Sequence, residues 1–145
     1  MDCKDLMVGD LVYVIRGYDK HLTIEKIKGV IEDEDNPYPI TMSTNETVSL
    51  NDISHIPLTE EILVKNGFEK AYTKVHDIMV DENLWFGHIG ADYVELRLEG
   101  NVAIWKDYDE KADGLYSDYL FPLPTSVHQL QHLLRLCGIE KEIEL

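Results

Sequence analysis

Two histidines near the carboxyl end of the sequence stand at a spacing that some metal sites use. His128 and His132 are four residues apart, and a helix places residues at this spacing on one face, where two imidazoles can share a metal ion. A functional metal site would need a third ligand, and the sequence contains no His-Glu-x-x-His pattern. The sequence leaves metal binding by this pair open. We predict a polar flank of an amphipathic helix and assign no metal or cofactor site.

Two acidic segments have side chains that could attract a cation. Carboxylate oxygens suit calcium, and residues 32–35 are four consecutive acids. The segment lacks the register of an EF-hand, because Pro37 stands where a ligand would be needed and no glycine occupies the required place. Asp107, Asp109 and Asp113 fail the same test. We predict solvated loops at both places.

Catalytic signatures are missing from the sequence. It has no Gly-x-Ser-x-Gly, no P-loop, no Gly-x-Gly-x-x-Gly and no Cys-x-x-Cys pattern. Cys137 falls in the last turn of a predicted helix, where a buried thiol is a poor nucleophile, and Cys3 lies close to the amino terminus. We therefore predict that the protein is not an enzyme, and we assign no catalytic residue.

Aromatic and polar side chains supply a candidate interaction surface. Trp85 and Tyr93 fall in predicted strands, where core packing is the default for aromatic residues. If their rings face solvent, they could anchor a partner, since aromatic residues dominate interface hot spots. His128 and Gln131 belong to a sequence motif of the last helix and could line such a surface as well. The four candidates are therefore His128, Gln131, Trp85 and Tyr93.

The chain of 145 residues has a formal net charge of −15 at pH 7, which limits the classes of partner that it can bind. Phosphate groups would be repelled, so the charge argues against direct binding to nucleic acid and against a membrane surface. It favours a solvated acidic surface, a basic partner or a bound cation. We expect a protein partner whose identity the sequence does not give, and the oligomeric state stays open.

The sequence also indicates a compartment. The segment MDCKDLMVGD is charged and lacks the apolar core of a secretory signal. No apolar run approaches the roughly 18 residues of a membrane-spanning helix. We therefore predict a cytoplasmic protein with reduced thiols.

Residues 1–57 have the pattern of a small β unit. The segments LVYVI, HLTIEKIKGVI, ITMST and ETVSL are typical of short strands. We expect Leu22, Ile24 and Ile27 to point inward, and Gly29 to mark a bulge or a sharp bend. Four or five strands this short can bury one face by curling into a closed or nearly closed sheet. The sequence therefore predicts a small SH3-like barrel.

Residues 58–145 predict an α+β unit that could pack with the first as one compact domain. A helix begins after Thr59 and ends at Gly67, which are a preferred N-cap and a preferred C-terminal residue. Four β-patterned segments follow as an antiparallel meander, with one more edge strand before Pro122. A second short helix closes the unit. The turn-type clusters between the meander segments are residues 81–83, 90–92 and 99–101. The predicted class is α+β and mostly β.

The two helix segments contain the motifs IPLTEEILVKNGF and VHQLQ. Together these motifs resemble a family of small uncharacterised proteins of Bacteroidetes bacteria and of their phages and mobile elements, and residues 136–139 depart from the family's Leu-Thr-Gly pattern. The resemblance implies the architecture and a mobile-element setting, and it supplies no activity. The matching positions are Ile56, Pro57, Leu58, Thr59, Glu60, Leu63, Gly67 and Phe68, followed by Val127, His128, Gln129, Leu130 and Gln131.

Three functions are compatible with these observations. The leading prediction is a non-enzymatic accessory factor of a phage or mobile element that acts through protein–protein contacts. The alternative is an acidic inhibitor that imitates the phosphate array of DNA and occupies the basic groove of a nucleic-acid-binding protein. The third is an enzyme of unknown type, which a deep pocket gathering histidine and carboxylate groups would favour.

Overall fold

The computed structural model describes residues 5–31, 33, 35–97, 100–110 and 116–145. The chain forms two compact units. The first comprises Met1–Pro57 and Ser126–His132, and the second comprises Leu58–Thr125 and Leu133–Leu145. Within these ranges, antiparallel sheets account for most of the regular structure, and two α-helices and a short 3-10 helix (Leu50–Asp52) complete it. The protein is therefore of the α+β class and mostly β, as the sequence predicts.

The sheet of the first unit has five strands in the order β4-β3-β2-β1-β5, and the pairings are antiparallel. Among the described strands, none joins β4 to β5, so the sheet is open and the predicted SH3-like barrel is not supported. Both edge strands have only two residues, which leaves few backbone groups for closure. The strands are β1 (Leu11–Arg16), β2 (His21–Val30), β3 (Ile40–Met42), β4 (Thr47–Val48) and β5 (Ile53–Ser54).

One face of this sheet forms the core of the first unit. Ile27 is buried as expected, but Leu22 and Ile24 are 55% and 50% exposed, so the prediction that they point inward is wrong. Side chains alternate along a strand with a period of two, which puts residues 22 and 24 on the face opposite to Ile27. The bulge predicted at Gly29 is confirmed by a register shift between Ile27 and Gly29. The core consists of Leu6, Val12, Val14, Ile27, Ile40, Met42, Val48 and Ile53.

The second unit contains an antiparallel meander whose strands follow chain order, β10-β9-β8-β7-β6. The predicted meander and the edge strand before Pro122 are both confirmed. Helix α1 precedes the meander, and helix α2 begins in the first unit and ends in the second. The elements are α1 (Glu60–Lys65), β6 (Glu69–Val75), β7 (Ile78–Ile89), β8 (Asp92–Arg97), β9 (Asn101–Trp105), β10 (Tyr119–Pro122) and α2 (Val127–Leu136).

The first turn of the meander lies four residues before the predicted one. Strand β7 runs without interruption through residues 81–83, and the chain reverses instead at His76 and Asp77, whose φ angles are +50° and +65°. Positive φ at both central residues gives a tight hairpin turn whose twist matches that of the strands. Among the described residues, β8 pairs with β7 only from Leu84 onward, so the hairpin before it forms a two-stranded ribbon.

Helix α1 has the predicted ends. The Thr59 hydroxyl accepts a hydrogen bond from the Ile62 N–H, and Gly67 adopts a φ of +83°. The Phe68 N–H donates to the Leu63 carbonyl at 3.0 Å, which satisfies one of the carbonyls left open at the helix end. A helix of six residues is marginal by itself, so these caps and the buried Leu63 side chain stabilise it.

Side-chain hydrogen bonds hold residues 139–145, which contain no strand. The buried Asn66 amide donates to the Glu144 carbonyl at 2.7 Å and accepts from the Glu144 N–H at 2.9 Å. These two hydrogen bonds satisfy both backbone groups of Glu144, as a neighbouring strand would do in a β-sheet. Within the described part of the chain, neither helix has the length and apolar character needed to cross a bilayer.

Candidate functional site

One face of the second unit's sheet collects aromatic side chains. The register pairs Phe86 with Glu95 and His88 with Tyr93 across β7 and β8, and Tyr93 with Trp105 across β8 and β9. Directly paired residues of an antiparallel sheet point to the same side, so these five side chains share a face. Trp105 is buried on this face. The opposite face is aliphatic, and its buried residues in β8 and β9 are Val94, Leu96, Val102 and Ile104.

Tyr93 lies at the centre of this aromatic group. Its ring centroid is 5.0 Å from that of His88, 5.4 Å from that of Trp105 and 6.3 Å from that of Phe86. Tyr108 stacks on it, with centroids 4.7 Å apart and planes 27° from parallel. Distances of this size are typical of favourable aromatic pairs.

The loop after β9 positions Tyr108. The Tyr108 N–H donates to the Ala91 carbonyl at 2.8 Å, and Asp107, with a φ of +47°, turns the chain just before it. Asp92 fixes the turn by accepting from the Asp107 N–H at 2.9 Å and from Lys106 Nζ at 2.8 Å. The loop is therefore anchored at two points on the β7–β8 turn, and Tyr108 is held against the sheet.

A cleft of about 430 Å³ opens beside these rings. Its lining residues are Phe86, His88, Tyr93, Tyr108 and Glu110, and we call it the aromatic cleft. Ligand pockets in proteins have volumes of about 300–1,000 Å³ and combine aromatic walls with a few polar groups. The cleft matches this description, since the described part of its lining consists of four rings and one carboxylate.

The protonation and pairing of the polar groups near the cleft follow from their neighbours. The Tyr93 hydroxyl donates to Glu95 at 3.3 Å, and burial, with Glu95 adding to it, raises the pKa of Tyr93 to about 12. The phenol therefore stays neutral at physiological pH. Arg97 donates to Glu95 through Nε and Nη2 at 3.0 and 2.8 Å. The guanidinium of Arg97 is thus neutralised by a carboxylate beside it.

The structure separates the two aromatic candidates that the sequence singled out. Tyr93 is half-buried and lines the aromatic cleft. Trp85 is only 3% exposed, on the opposite face of β7, and Lys70 Nζ lies 5.6 Å from its ring centroid. An interaction surface formed by Trp85 would need this ring to become exposed. Sequence reasoning missed Phe86 and His88, although their alternation with Trp85 along β7 was the available signal.

The first unit contains a second polar group, which we call the histidine cluster: Asp10, His55, Ser126, His128 and His132. His128 Nδ1 lies 3.3 Å from His55 Nδ1 and 3.1 Å from the Ser126 hydroxyl. His132 Nε2 donates to the Asp10 carboxylate at 2.7 Å, and Asp10 also accepts from the Met7 N–H. Ser126 forms an isolated antiparallel β-bridge with Pro57, and the Val127 N–H donates to the Ile56 carbonyl. These two contacts place Ser126 and the start of α2 beside β5.

The histidine cluster is interior, which bears on the other two candidate interaction residues. His128 and Gln131 are each 1% exposed, so a surface formed by them would need both to be uncovered. Burial, reinforced by His55, lowers the pKa of His128 to about 4, and the ring is neutral at pH 7. Among the described residues, none supplies a hydrogen-bond partner to His128 Nε2 or to the Gln131 amide.

No metal centre forms from the histidine cluster. Within the described ranges, no three His, Cys, Asp or Glu side chains converge as ligands. The rings of His55 and His128 are nearly parallel, at 8°, so their lone pairs do not point at a common atom. Ser126 and His128 are too buried to present a nucleophile to a substrate. The cluster is a group of stacked and hydrogen-bonded side chains in the first unit, of which Asp10, Ser126 and His128 are buried.

The remaining sequence candidates form no site in the described chain. Asp33 accepts from the Asp35 N–H at 3.1 Å as part of a local turn, while residues 32 and 34 lie outside the described residues. Asp113 and Cys3 lie outside them as well. Cys137 is buried, and burial raises the pKa of its thiol, which makes it a poor nucleophile.

Comparison with known proteins leaves the chain without a relative to argue from. No protein family, no curated protein and no solved structure matches it. The resemblance of its helix motifs to the Bacteroidetes family therefore stays a prediction, and function has to be argued from the geometry of the two units.

Proposed function

We propose that this protein is a non-enzymatic interaction factor that binds a protein partner through the aromatic cleft. The observation that carries the proposal is the convergence of Phe86, His88, Tyr93 and Tyr108 with Glu110 around a cleft of about 430 Å³. Aromatic rings with a polar edge are the side chains most enriched at interface hot spots. A partner that covers these rings would remove apolar surface from water and gain specific contacts.

The charge of the protein supports a basic partner. A net charge of −15 attracts positively charged segments over a distance and raises their association rate. At the cleft itself, Glu110 adds a carboxylate to the lining. The proposal therefore includes a basic segment on the partner and no direct contact with nucleic acid or membrane.

The biological setting comes from the sequence resemblance. The motifs IPLTEEILVKNGF and VHQLQ resemble those of Bacteroidetes proteins from phages and mobile elements, and we propose an accessory role in the cytoplasm of such a host. An acidic inhibitor that mimics DNA is the second candidate, and the net charge alone supports it. An enzyme is a weaker candidate, because the Ser126–His128 pair is buried.

A pull-down from the native host tests the proposal. Tagged wild-type protein is compared with His88→Ala and Tyr108→Ala, which remove cleft rings, and with Tyr18→Ala, which removes a fully exposed ring of the first unit. We expect the same partner on wild type and Tyr18→Ala, and its loss from both cleft variants. Circular dichroism confirms that each variant folds.

The salt dependence separates the two leading candidates. A partner held by aromatic contacts should survive moderate salt, although its association will slow. A partner with a basic nucleic-acid groove that is lost as salt rises, and that binds the cleft variants as well as wild type, would favour the DNA mimic and overturn the cleft proposal.

A further inference from the structure

We propose that the aromatic cleft binds the guanidinium group of an arginine side chain on the partner. This inference rests on the proposed function and deepens it by naming the chemical group that the cleft recognises. Three observations carry it: the arrangement of rings, the distribution of charge around them and the shallow, ring-lined shape of the cleft.

The rings provide a surface of the right electrostatic sign. The face of an aromatic ring carries a negative quadrupole, and cations are attracted to it within about 6 Å of the centroid. Tyr93, His88 and Tyr108 lie with their centroids 4.7–5.9 Å from one another. A cation placed in the cleft would therefore be near several rings at once. Tyr93 stays an uncharged phenol, so it keeps this character.

The charges around the cleft leave a negative excess. Glu110 is an exposed carboxylate in the lining. Two described cations of this region are already paired, since Arg97 is bound to Glu95 and Lys106 to Asp92. The hydrogen bond that Lys106 donates to Asp92 raises the pKa of Lys106, so the ammonium group keeps its proton. An incoming cation thus meets the Glu110 carboxylate without competition from Arg97 or Lys106.

The shape favours arginine over lysine. A guanidinium is planar, stacks on aromatic faces and is more weakly hydrated than an ammonium ion. An open cleft lined by aromatic rings and one exposed carboxylate suits a flat group that can stack on a ring and donate hydrogen bonds to that carboxylate. A lysine ammonium would retain more of its water and gain less from the same rings.

The experiment uses three capped pentapeptides, Gly-Gly-X-Gly-Gly, in which X is arginine, lysine or citrulline. Citrulline has nearly the shape of arginine but no charge, so it isolates the contribution of the cation. Binding to the full chain is followed by NMR shifts of the His88 and Tyr108 signals. We expect the arginine peptide to bind most tightly, with citrulline weaker by about threefold or more, the scale of a partly exposed cation–π contact.

Two variants locate the binding. Glu110→Gln should weaken the arginine peptide by about threefold and the citrulline peptide less, because the charge-assisted bond of a guanidinium to a carboxylate is stronger than the bond of a neutral ureido N–H. Glu140→Gln removes an exposed carboxylate that is not part of the lining of the aromatic cleft, and we expect it to bind as wild type does. If Glu110→Gln and Glu140→Gln weaken binding of the arginine peptide equally, the peptide is held by general charge attraction, and the proposed guanidinium site is wrong.

The outcomes distinguish this inference from the proposed function. Equal binding of arginine and citrulline peptides, or stronger binding of lysine, would overturn the guanidinium site. If no peptide shifts the cleft signals while His88→Ala and Tyr108→Ala still lose the host partner, the guanidinium inference fails and the proposed function stands. If the arginine peptide binds but those variants keep the partner, the proposed function fails and the cation site remains.

Discussion

The imidazole rings of His55 and His128 stack with their centroids 4.6 Å apart and their planes 8° from parallel. Two neutral rings tolerate this arrangement, but two imidazolium ions at this distance would repel each other. Because His128 is also buried, a proton on it would lose its hydration. This pair makes the first unit sensitive to acid.

We expect the protein to lose stability as the pH falls from 6.5 towards 4. The pKa of His128 is lowered in the fold from 6.5 to about 4, by burial first and then by His55, while Asp10 opposes the shift. Between these two pH values the unfolded chain binds a proton at His128 that the folded chain does not bind, so acid favours unfolding. The contribution of neutral His128 to the free energy of unfolding is therefore fully present above pH 6.5 and lost below pH 4. Urea unfolding at several pH values measures it.

Two variants control that measurement. His128→Gln removes the titrating ring and should flatten the profile between pH 6.5 and 4. His21→Gln removes an exposed histidine of the same unit and should leave the profile of the wild type. If the free energy of unfolding of His128→Gln depends on pH in the same way as that of the wild type, other groups cause the acid sensitivity.

Asp10 should be the most costly carboxylate to alter. It is fully buried, and its Oδ2 lies 2.7 Å from both His132 Nε2 and the Met7 nitrogen. Asp10→Asn weakens charge-assisted bonds at a fully buried site, and we expect a loss of about 2–3 kcal/mol in the free energy of unfolding. Chemical denaturation of Asp10→Asn, His132→Gln and the double variant gives the coupling energy. A loss below about 0.5 kcal/mol in Asp10→Asn would contradict the burial argument.

Gly87 is required by close packing. An added Cβ would lie 3.1 Å from the Phe68 ring and 3.3 Å from the Gly67 carbonyl, both tight contacts. We expect Gly87→Ala to lower the free energy of unfolding by about 1–3 kcal/mol. Gly29→Ala is the control, since its Cβ would meet Thr41 at an ordinary 3.7 Å. Thermal unfolding compares the two variants. If Gly87→Ala destabilises the protein no more than Gly29→Ala does, close packing at Gly87 is not the cause of the loss.

Asn66 should govern the order of the last residues. Its side chain makes hydrogen bonds with both backbone groups of Glu144 and donates to the Ile62 carbonyl as well. Asn66→Ala removes these bonds, and we expect hydrogen exchange of residues 139–145 to become faster by about tenfold or more, in line with two lost bonds of about 1 kcal/mol each. Thr59→Ala, which weakens the other end of α1, should leave this exchange unchanged.

Local signals in the sequence predicted most of the second unit. Thr59 and Gly67 fix the ends of α1 through their own hydrogen-bonding and backbone preferences, which need no distant partner. The hairpin at His76 and Asp77 was missed, because neither residue belongs to the usual Gly or Asn turn pairs, while residues 81–83 imitate a turn in composition. Tertiary pairing with β6 overrides that composition.

Closure of the first sheet and the location of the site depended on long-range geometry. Whether β4 meets β5 is decided by strand length and twist, which alternation alone does not encode. The aromatic cleft depends on Tyr108, which reaches Tyr93 only because a loop bond to Ala91 brings it back. Tyr93 was identified from its type and its strand, but its partners come from the register of three strands and one loop.

The ribbon formed by the outer parts of β6 and β7 has a consequence for how the molecule opens. Two strands alone are marginally stable in water, and Tyr72, Ile78 and Met79 there are exposed and not enclosed by a core. Its amide protons should therefore exchange through a small opening that leaves the five-stranded part intact. The meander thus has a stability gradient along β7, and proteolytic nicking would begin at the ribbon long before global unfolding.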